Sequence, residues 1–330
     1  MNWDTIFSVS VESAIGTSAV IYTLAAIGIN VQFGYTGLLN FGQAAFMAVG
    51  AYGLAIGVAT WGLNFWLSVG IGLAAAVALA LILGVPTLRL RADYLAIVTI
   101  AAAEIFRITV RTSNYRDVTG GTDGLQQFSG AFFDINPYGR GEYGIGPVSF
   151  DERTTWVLTI GWILVALCCL VVYLLMRSPW GRVLKAIRED EDAVRSLGKN
   201  VFSYKMQSLI LGGVIGALAG FIFALSTGSV TPDSYAPEVT FFAYTIVILG
   251  GAARVLGPVV GAVIFWLFIQ FSDQVLRQAI SAGYIPNSVM DTTQVGAVRF
   301  ILVGLGLMLL IIFRPQGIFG DKREIALDAR

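Results

Sequence analysis

The feature that constrains this chain most is the stretch Thr155 to Met176, which contains no charged residue and no proline. A helix rises 1.5 Å per residue and a bilayer's hydrocarbon core is about 30 Å thick, so roughly 20 apolar residues cross it. The stretch has that length, and so does Met206 to Val230. Ser13 to Val31, Phe65 to Gly84 and Ala297 to Phe313 also qualify, the last with Arg299 near its start. Ala44 to Thr60, Tyr94 to Val110, Val239 to Ala253 and Val255 to Phe271 are shorter or less clean. Together these runs predict an all-α, polytopic transmembrane bundle of about nine spans, within a range of eight to ten, forming one domain over residues 1–330. A charged fraction of 13% points the same way, because soluble domains average roughly 25%. The start of the chain lacks the basic segment that opens a signal peptide, its first basic residue being Arg89.

Lysine and arginine accumulate in cytoplasmic loops. With nine spans and the N-terminus outside, the inner segments hold fourteen of the 21 basic residues, Arg89, Arg91, Arg254, Lys322, Arg323 and Arg330 among them. The bias is strongest in the segment 177–205, which is therefore expected on the cytoplasmic side. The C-terminus falls on that side too. The glycine-rich, aromatic segment 112–153 is expected outside.

Several chemistries are excluded. Basic and acidic residues balance at 21 each, which gives no electrostatic support for a nucleic-acid partner. There is no histidine, the commonest general base and metal ligand. Cys168 and Cys169 are adjacent within an apolar run and read as small hydrophobes. No P-loop, nucleophile elbow, H-E-x-x-H or C-x-x-C is present, so neither catalytic residues nor a cofactor or metal site is expected.

Four features depart from plain apolar spanning helix. Phe33 to Gln43 joins two apolar blocks and carries three glycines with Thr36, Asn40 and Gln43. It is either a tight turn between spans or a broken, re-entrant segment, since non-helical backbone at membrane depth must be buried in protein or line a cavity. Thr36, Asn40 and Gln43 are the candidate polar groups of a transport pathway. Ile248 to Pro258 is likewise rich in glycine around Arg254. The spacing of Gly212, Gly216 and Gly220 predicts close helix packing. Glu104 and Arg107 share a helix face inside an apolar run. An acid there is either a pathway residue or proton carrier, or half of an internal ion pair.

The run Gly34 to Tyr52 resembles the first hallmark of the branched-chain amino-acid ABC permease family, and Leu88 to Thr99 resembles the next. Thr119-Gly-Gly-Thr-Asp-Gly-Leu125 is similar to its outer-loop signature, and Ser178 to Gly198 to its cytoplasmic coupling region. Leu249-Gly-Gly and Phe313-Arg-Pro-Gln-Gly317 complete a set that follows family order from about residue 14 to residue 320. The resemblance implies a non-enzymatic transport subunit in a bacterial cytoplasmic membrane, the longer-loop member of a permease pair. Its implied partners are two ATP-binding cassette subunits, a second permease, an extracytoplasmic solute-binding protein and membrane lipid.

The resemblance also implies where these partners meet the chain. Thr119, Gly120, Gly121, Thr122, Asp123 and Gly124 would form an outer rim. Gly181, Arg188, Asp192, Ala193 and Gly198 would couple to the ATPase. Asp192 to Gly198 keeps the E-A-A-x-x-x-G spacing, with Asp for Glu and Val for the second Ala, but lacks the Ile-x-Leu-Pro tail. The family also contains urea and short-amide permeases. A proton- or ion-coupled secondary transporter is the reading from another class, and Glu104 is the feature that favours it.

Overall fold

In hydrocarbon a backbone N–H or C=O has no water to bond, and a helix satisfies both within one segment. The apolar runs accordingly fold as helices. The computed structural model describes residues 2–90, 92–146, 148–284, 294–314 and 316–320. Arg91, Pro315, Lys322, Arg323 and Arg330, which entered the charge bias and the motifs, lie outside the described residues, as does the C-terminus.

The chain opens with α1 (Trp3–Ile15) and breaks at Gly16 into α2 (Thr17–Ile29), which ends in a π-helical turn, Asn30–Tyr35. After a non-helical stretch come α3 (Gln43–Ala55), with a π-helical end Ile56–Thr60, then α4 (Phe65–Thr87) and α5 (Ala92–Arg111). The following segment holds short α6 (Arg116–Thr119), strand β1 (Leu125–Gln126), α7 (Gly130–Asp134) and a hairpin of β2 (Glu142–Ile145) and β3 (Val148–Asp151). Next are α8 (Glu152–Arg177) and two short helices, α9 (Pro179–Glu189) and α10 (Glu191–Ser196). The chain continues through α11 (Val201–Thr227), β4 (Ser229–Val230), α12 (Pro237–Gly250), α13 (Gly257–Ser281) and α14 (Val295–Phe313). β4 pairs antiparallel with β1, a small addition to an otherwise helical fold.

Each expected span corresponds to a helix. Among the described residues, six stretches are long and apolar enough to cross a bilayer, the first being α1, α2 and their π-turn taken together. The other three differ for identifiable reasons. α5 carries Glu104, Arg107 and Arg111, and α14 has a shorter apolar stretch, Val295–Leu309. α12 has 14 residues, about 21 Å of helix, well short of the hydrocarbon thickness. α8 and α11 begin earlier than their apolar runs, at Glu152 and Val201, and α13 extends to Ser281.

α11 lies at the centre, packed against α2, α3 and α4. Its glycines explain the closeness. A Cβ on Gly212 would meet the Gly28 carbonyl oxygen at 2.5 Å, and one on Gly220 would meet that of Met47 at 2.0 Å. Apolar attraction between helices is weak in lipid, so association relies on this backbone-level packing and on buried polar contacts. Polarity is inverted relative to a soluble protein. Asn30, Gln32, Asn40 and Gln43 are at most 1% exposed, whereas Ile82 on α4 is 69% exposed.

Candidate functional site

The π-turn after α2 is where polar groups gather. Asn30 donates from Nδ2 to the Arg254 carbonyl oxygen (2.8 Å) and accepts on Oδ1 from the Ala253 N–H (2.8 Å). Gln32 Nε2 donates to the Leu209 carbonyl oxygen on α11 at 3.1 Å. Arg188 Nη1 on α9 donates to the Gly34 carbonyl oxygen at 2.6 Å, and Lys185 lies over the Tyr35 ring. One turn thus touches α9, α11 and the loop between α12 and α13. A π-turn leaves carbonyls outside the regular helical ladder, which suits it to external donors.

Residues 37–42 then run without helix. Gln43 Nε2 donates to the Ala25 and Gly212 carbonyl oxygens (3.4 and 3.2 Å). α3 therefore begins near the level of Ala25, while Tyr35 lies ten residues further on, at the end of the π-turn that continues α2, roughly 15 Å at helical rise. The chain covers that distance in non-helical form inside the bundle, which is the broken segment rather than a simple turn. Much of its backbone is hydrogen-bonded. Phe41 N–H donates to Thr99 Oγ1 (3.0 Å), Gly42 N–H to Asn40 Oδ1 (2.9 Å), Leu38 N–H to the Gln32 carbonyl (2.9 Å), and Tyr244 O–H to the Asn40 carbonyl (3.0 Å). Irregular backbone deep in a bundle needs such partners in place of water.

The three candidate pathway residues sit here, and all are buried. Asn40 Nδ2 donates to Gln32 Oε1 (2.8 Å), and Thr36 Oγ1 lies 2.7 Å from Ser208 Oγ. Gln43 Oε1 is buried without a hydrogen-bond partner. In this conformation Asn40 and Gln43 bind the break to α2 and α11, and Thr36 lines a cavity. Asn30 and Gln32 belong to the same network, and nothing in the sequence motifs singles them out. The available signal is two amides inside an apolar run, one helical turn before the glycines.

Glu104 is tied to its neighbour. Arg107 donates from Nε and Nη2 to the Glu104 carboxylate (2.9 and 2.5 Å) and from Nη1 to Asp233 Oδ1 (2.8 Å), which Arg111 also reaches at 3.1 Å. Asp233 lies in the turn before α12, so the cluster fastens α5 to that turn. A second charged cluster has no counterpart among the sequence expectations. Asp273 on α13 is 5% exposed and accepts from Arg277 Nε at 2.6 Å, and Arg299 Nη1 on α14 stands 3.4 Å away.

The segment Thr119 to Gly124 closes on itself. Thr119 Oγ1 donates to the Val110 carbonyl (2.8 Å), Arg116 pairs with Asp123 (2.7 Å), and Thr122 and Asp123 are exposed. A Cβ on Gly120 would meet the Gly124 carbonyl oxygen at 2.0 Å. With its φ of +75°, that position accepts only glycine without strain. β1 follows directly and pairs with β4, and Thr60 Oγ1 holds the Val118 carbonyl (3.0 Å).

At the opposite end, α9 and α10 meet at Asp190, whose carboxylate caps α10 through the Ala193 N–H (2.9 Å). Gly181 lies against the Met176 backbone, where a Cβ would stand 2.4 Å from Cα, so α9 folds tightly back on α8. Gly198 ends α10 with φ +76° and open space around it. Beside it Leu197 is 79% exposed, and the Asp192 side chain projects outward while pairing with Arg195 at 2.7 Å. Two sequence motifs far apart in the chain also meet near this end. The last carbonyls of α12, at Leu249 and Gly250, accept from the Ile318 and Phe319 N–H groups at 3.0 and 3.1 Å. The residues directly after the C-terminal motif thus cap the short helix α12, whose carbonyls would otherwise be orphaned.

The profile described as branched-chain amino acid transport system / permease component matches residues 13–312. The high-affinity branched-chain amino acid transport system permease protein LivM of Escherichia coli is 31% identical over 319 residues, covering 94% of this chain and 70% of that protein. A probable branched-chain amino acid transport permease protein LivM of Methanocaldococcus jannaschii is 27% identical, covering 92% and 91%. LivH of E. coli, described as a permease protein of the same kind of system, is 24% identical and covers 91% of each chain.

Proposed function

The chain belongs to the branched-chain amino acid transport permease family, and from that premise we propose that it carries branched-chain amino acids inward across a bacterial cytoplasmic membrane as one of two permeases driven by separate ATPase subunits. It is a polytopic membrane protein and a transport subunit. The hairpin end, with Thr119 to Gly124, faces outward and receives a solute-binding protein. The end bearing α9 and α10 faces the cytoplasm. What supports this arrangement is the surface there: an exposed Leu197 and an exposed acid, Asp192, flank a glycine turn with no protein atom over it.

In this reading ATP binding moves the docked surface and α9 transmits the motion. Arg188 links α9 to the π-turn, and the π-turn leads into the broken segment. The displacement reaches the bundle centre through hydrogen bonds already in place. Glu104 has no carrier role in this mechanism, because its carboxylate is held by Arg107 in an internal ion pair.

The test is reconstitution in vesicles with the ATPases, the second permease and the binding protein. The expected result is ATP-driven leucine, isoleucine or valine uptake that survives ionophores. Uptake of urea or short amides instead would move the substrate within the family. Uptake by this chain alone, abolished by collapsing a proton gradient, would overturn the importer reading.

A further inference from the structure

We propose that the cavity enclosed by α9, the broken segment and the connection between α4 and α5 is an amino-acid site on the cytoplasmic side, taking one zwitterionic amino acid with an aliphatic side chain. The inference rests on the importer reading for its orientation. The cavity holds about 290 Å³. Sites for drug-sized ligands run to roughly 300–1,000 Å³, so this one lies at the small end of that range and has room for a single amino acid.

Its lining has two chemistries. Leu38, Leu88, Leu95 and Ile187 form an apolar wall, each at most 5% exposed. These four come from three separate parts of the chain, so the wall exists only in the fold. Facing the same space are Glu191, Lys205 and Arg188, with Thr36 beside them. The Lys205 ammonium pairs with the Glu191 carboxylate, whose other oxygen accepts from Arg195 at 2.8 Å. An ammonium has three donors and a carboxylate about four acceptor positions, so this pair keeps capacity for a further carboxylate and a further ammonium. Charges of both signs beside an aliphatic wall complement a zwitterion with an aliphatic side chain. A fatty acid or an alkyl amine satisfies only one of the two charges.

The cavity communicates with a larger groove of about 680 Å³, with which it shares Leu88, Leu90, Glu191 and Lys205. Arg89, Lys199 and Asn200 line that groove on the side of the α4–α5 connection and the start of α11. An occupant would touch α9 through Ile187 and Arg188 and the broken segment through Thr36 and Leu38. Those are the two elements that the Arg188 bond to the Gly34 carbonyl joins. A bound amino acid is thus placed where it reports solute on the cytoplasmic side to the coupling path.

The experiment uses the complete permease–ATPase complex in nanodiscs, without a binding protein, and a leucine analogue bearing a diazirine in its side chain. After irradiation, label is expected on peptides carrying Leu38, Leu95 or Ile187. Excess leucine should compete. 4-Methylpentanoate and 3-methylbutylamine, each lacking one charge, should compete about tenfold less well. Leu95→Trp, which fills the cavity, and Lys205→Met, which removes its cation, should each lower the labelling by about tenfold. Label confined to other peptides, or equal competition by the singly charged analogues, would overturn the site. Vesicle uptake measured in parallel keeps the two questions apart. Normal ATP-driven uptake with an unlabelled cavity refutes the site and leaves the importer standing. Cavity labelling without any uptake does the reverse.

Discussion

Two glycine-to-alanine substitutions should have opposite effects, although both lie inside helices of the same bundle. Gly220 on α11 faces α3, where a new Cβ would stand 2.0 Å from the Met47 carbonyl oxygen and 2.7 Å from its carbon. Ordinary contact needs about 3.3–3.6 Å between carbon and oxygen, so α11 and α3 must separate by more than an ångström. Backbone cannot rotate aside as a side chain can, and overpacking of this kind costs about 1–3 kcal/mol. The displacement would also strain the neighbouring Gly212–Gly28 contact on α2. At Gly70 on α4, a new Cβ would have no heavy atom within 4 Å. There alanine removes conformational freedom from the unfolded chain and stabilises by about 0.4–1 kcal/mol. The two variants should therefore differ by roughly 1.5–4 kcal/mol, at least about tenfold in the folded-to-unfolded ratio. Heat challenge of the purified complex, followed by the fraction that stays monodisperse, separates them. Equal survival, or a less stable Gly70→Ala, would refute the claim that backbone contact along α11 holds this bundle together.

Asn40→Leu leaves Gln32 Oε1 and the Gly42 N–H without partners, about 1–3 kcal/mol for each orphaned group. Membrane abundance and uptake should fall together, and unchanged values for both would remove Asn40 from the scaffold of the break. Asp273→Asn strips the carboxylate from Arg277 and Arg299, which are themselves part-exposed; losing such charge-assisted hydrogen bonds costs about 1.5–3 kcal/mol, read as loss of folded protein on a fluorescence-detected size-exclusion trace. Gly198→Val meets no atoms but must adopt φ +76°, a strain of about 1–2 kcal/mol. The chain should insert normally while ATPase co-purification or stimulated hydrolysis declines, and full retention of both would place the coupling contact elsewhere. Cysteines replacing Lys199 and Gly139 should be labelled from opposite faces of the membrane, and labelling from one face would invert or discard the proposed orientation.

The helices are legible in the sequence because hydrophobic length is a direct physical requirement of a bilayer. The broken segment is legible as one of two alternatives, since glycines with Thr36, Asn40 and Gln43 cannot continue an ordinary lipid-facing helix. What that segment bonds to is not. Asn30 finds the Arg254 carbonyl and Gln32 finds Leu209 across more than 170 residues of chain, and no local pattern encodes such partners. The spacing of Glu104 and Arg107 allows an ion pair, but Asp233, which extends the cluster, is 126 residues from Arg107. The aliphatic wall of the proposed amino-acid site is invisible for a simpler reason. Leu38, Leu88, Leu95 and Ile187 are ordinary leucines and isoleucine until the fold sets them around one space.

The π-turn at Asn30–Tyr35 has a mechanical consequence. Such a turn is one surplus residue wound into a helix, and a surplus of this kind can migrate along the axis as a dislocation migrates through a crystal. Each one-residue step turns the residue it passes by about 100° and shifts it by about 1.5 Å along the axis, with no need to break the whole ladder. Two pins fix where the surplus sits: Asn30, clasped by the loop before α13, and Gly34, gripped by Arg188. The first pin belongs to the bundle and the second to α9. Withdrawing α9 alone would free one end of the dislocation while the other stays anchored, so a pull on the surface would be delivered to the broken segment as a rotation with a fixed sense.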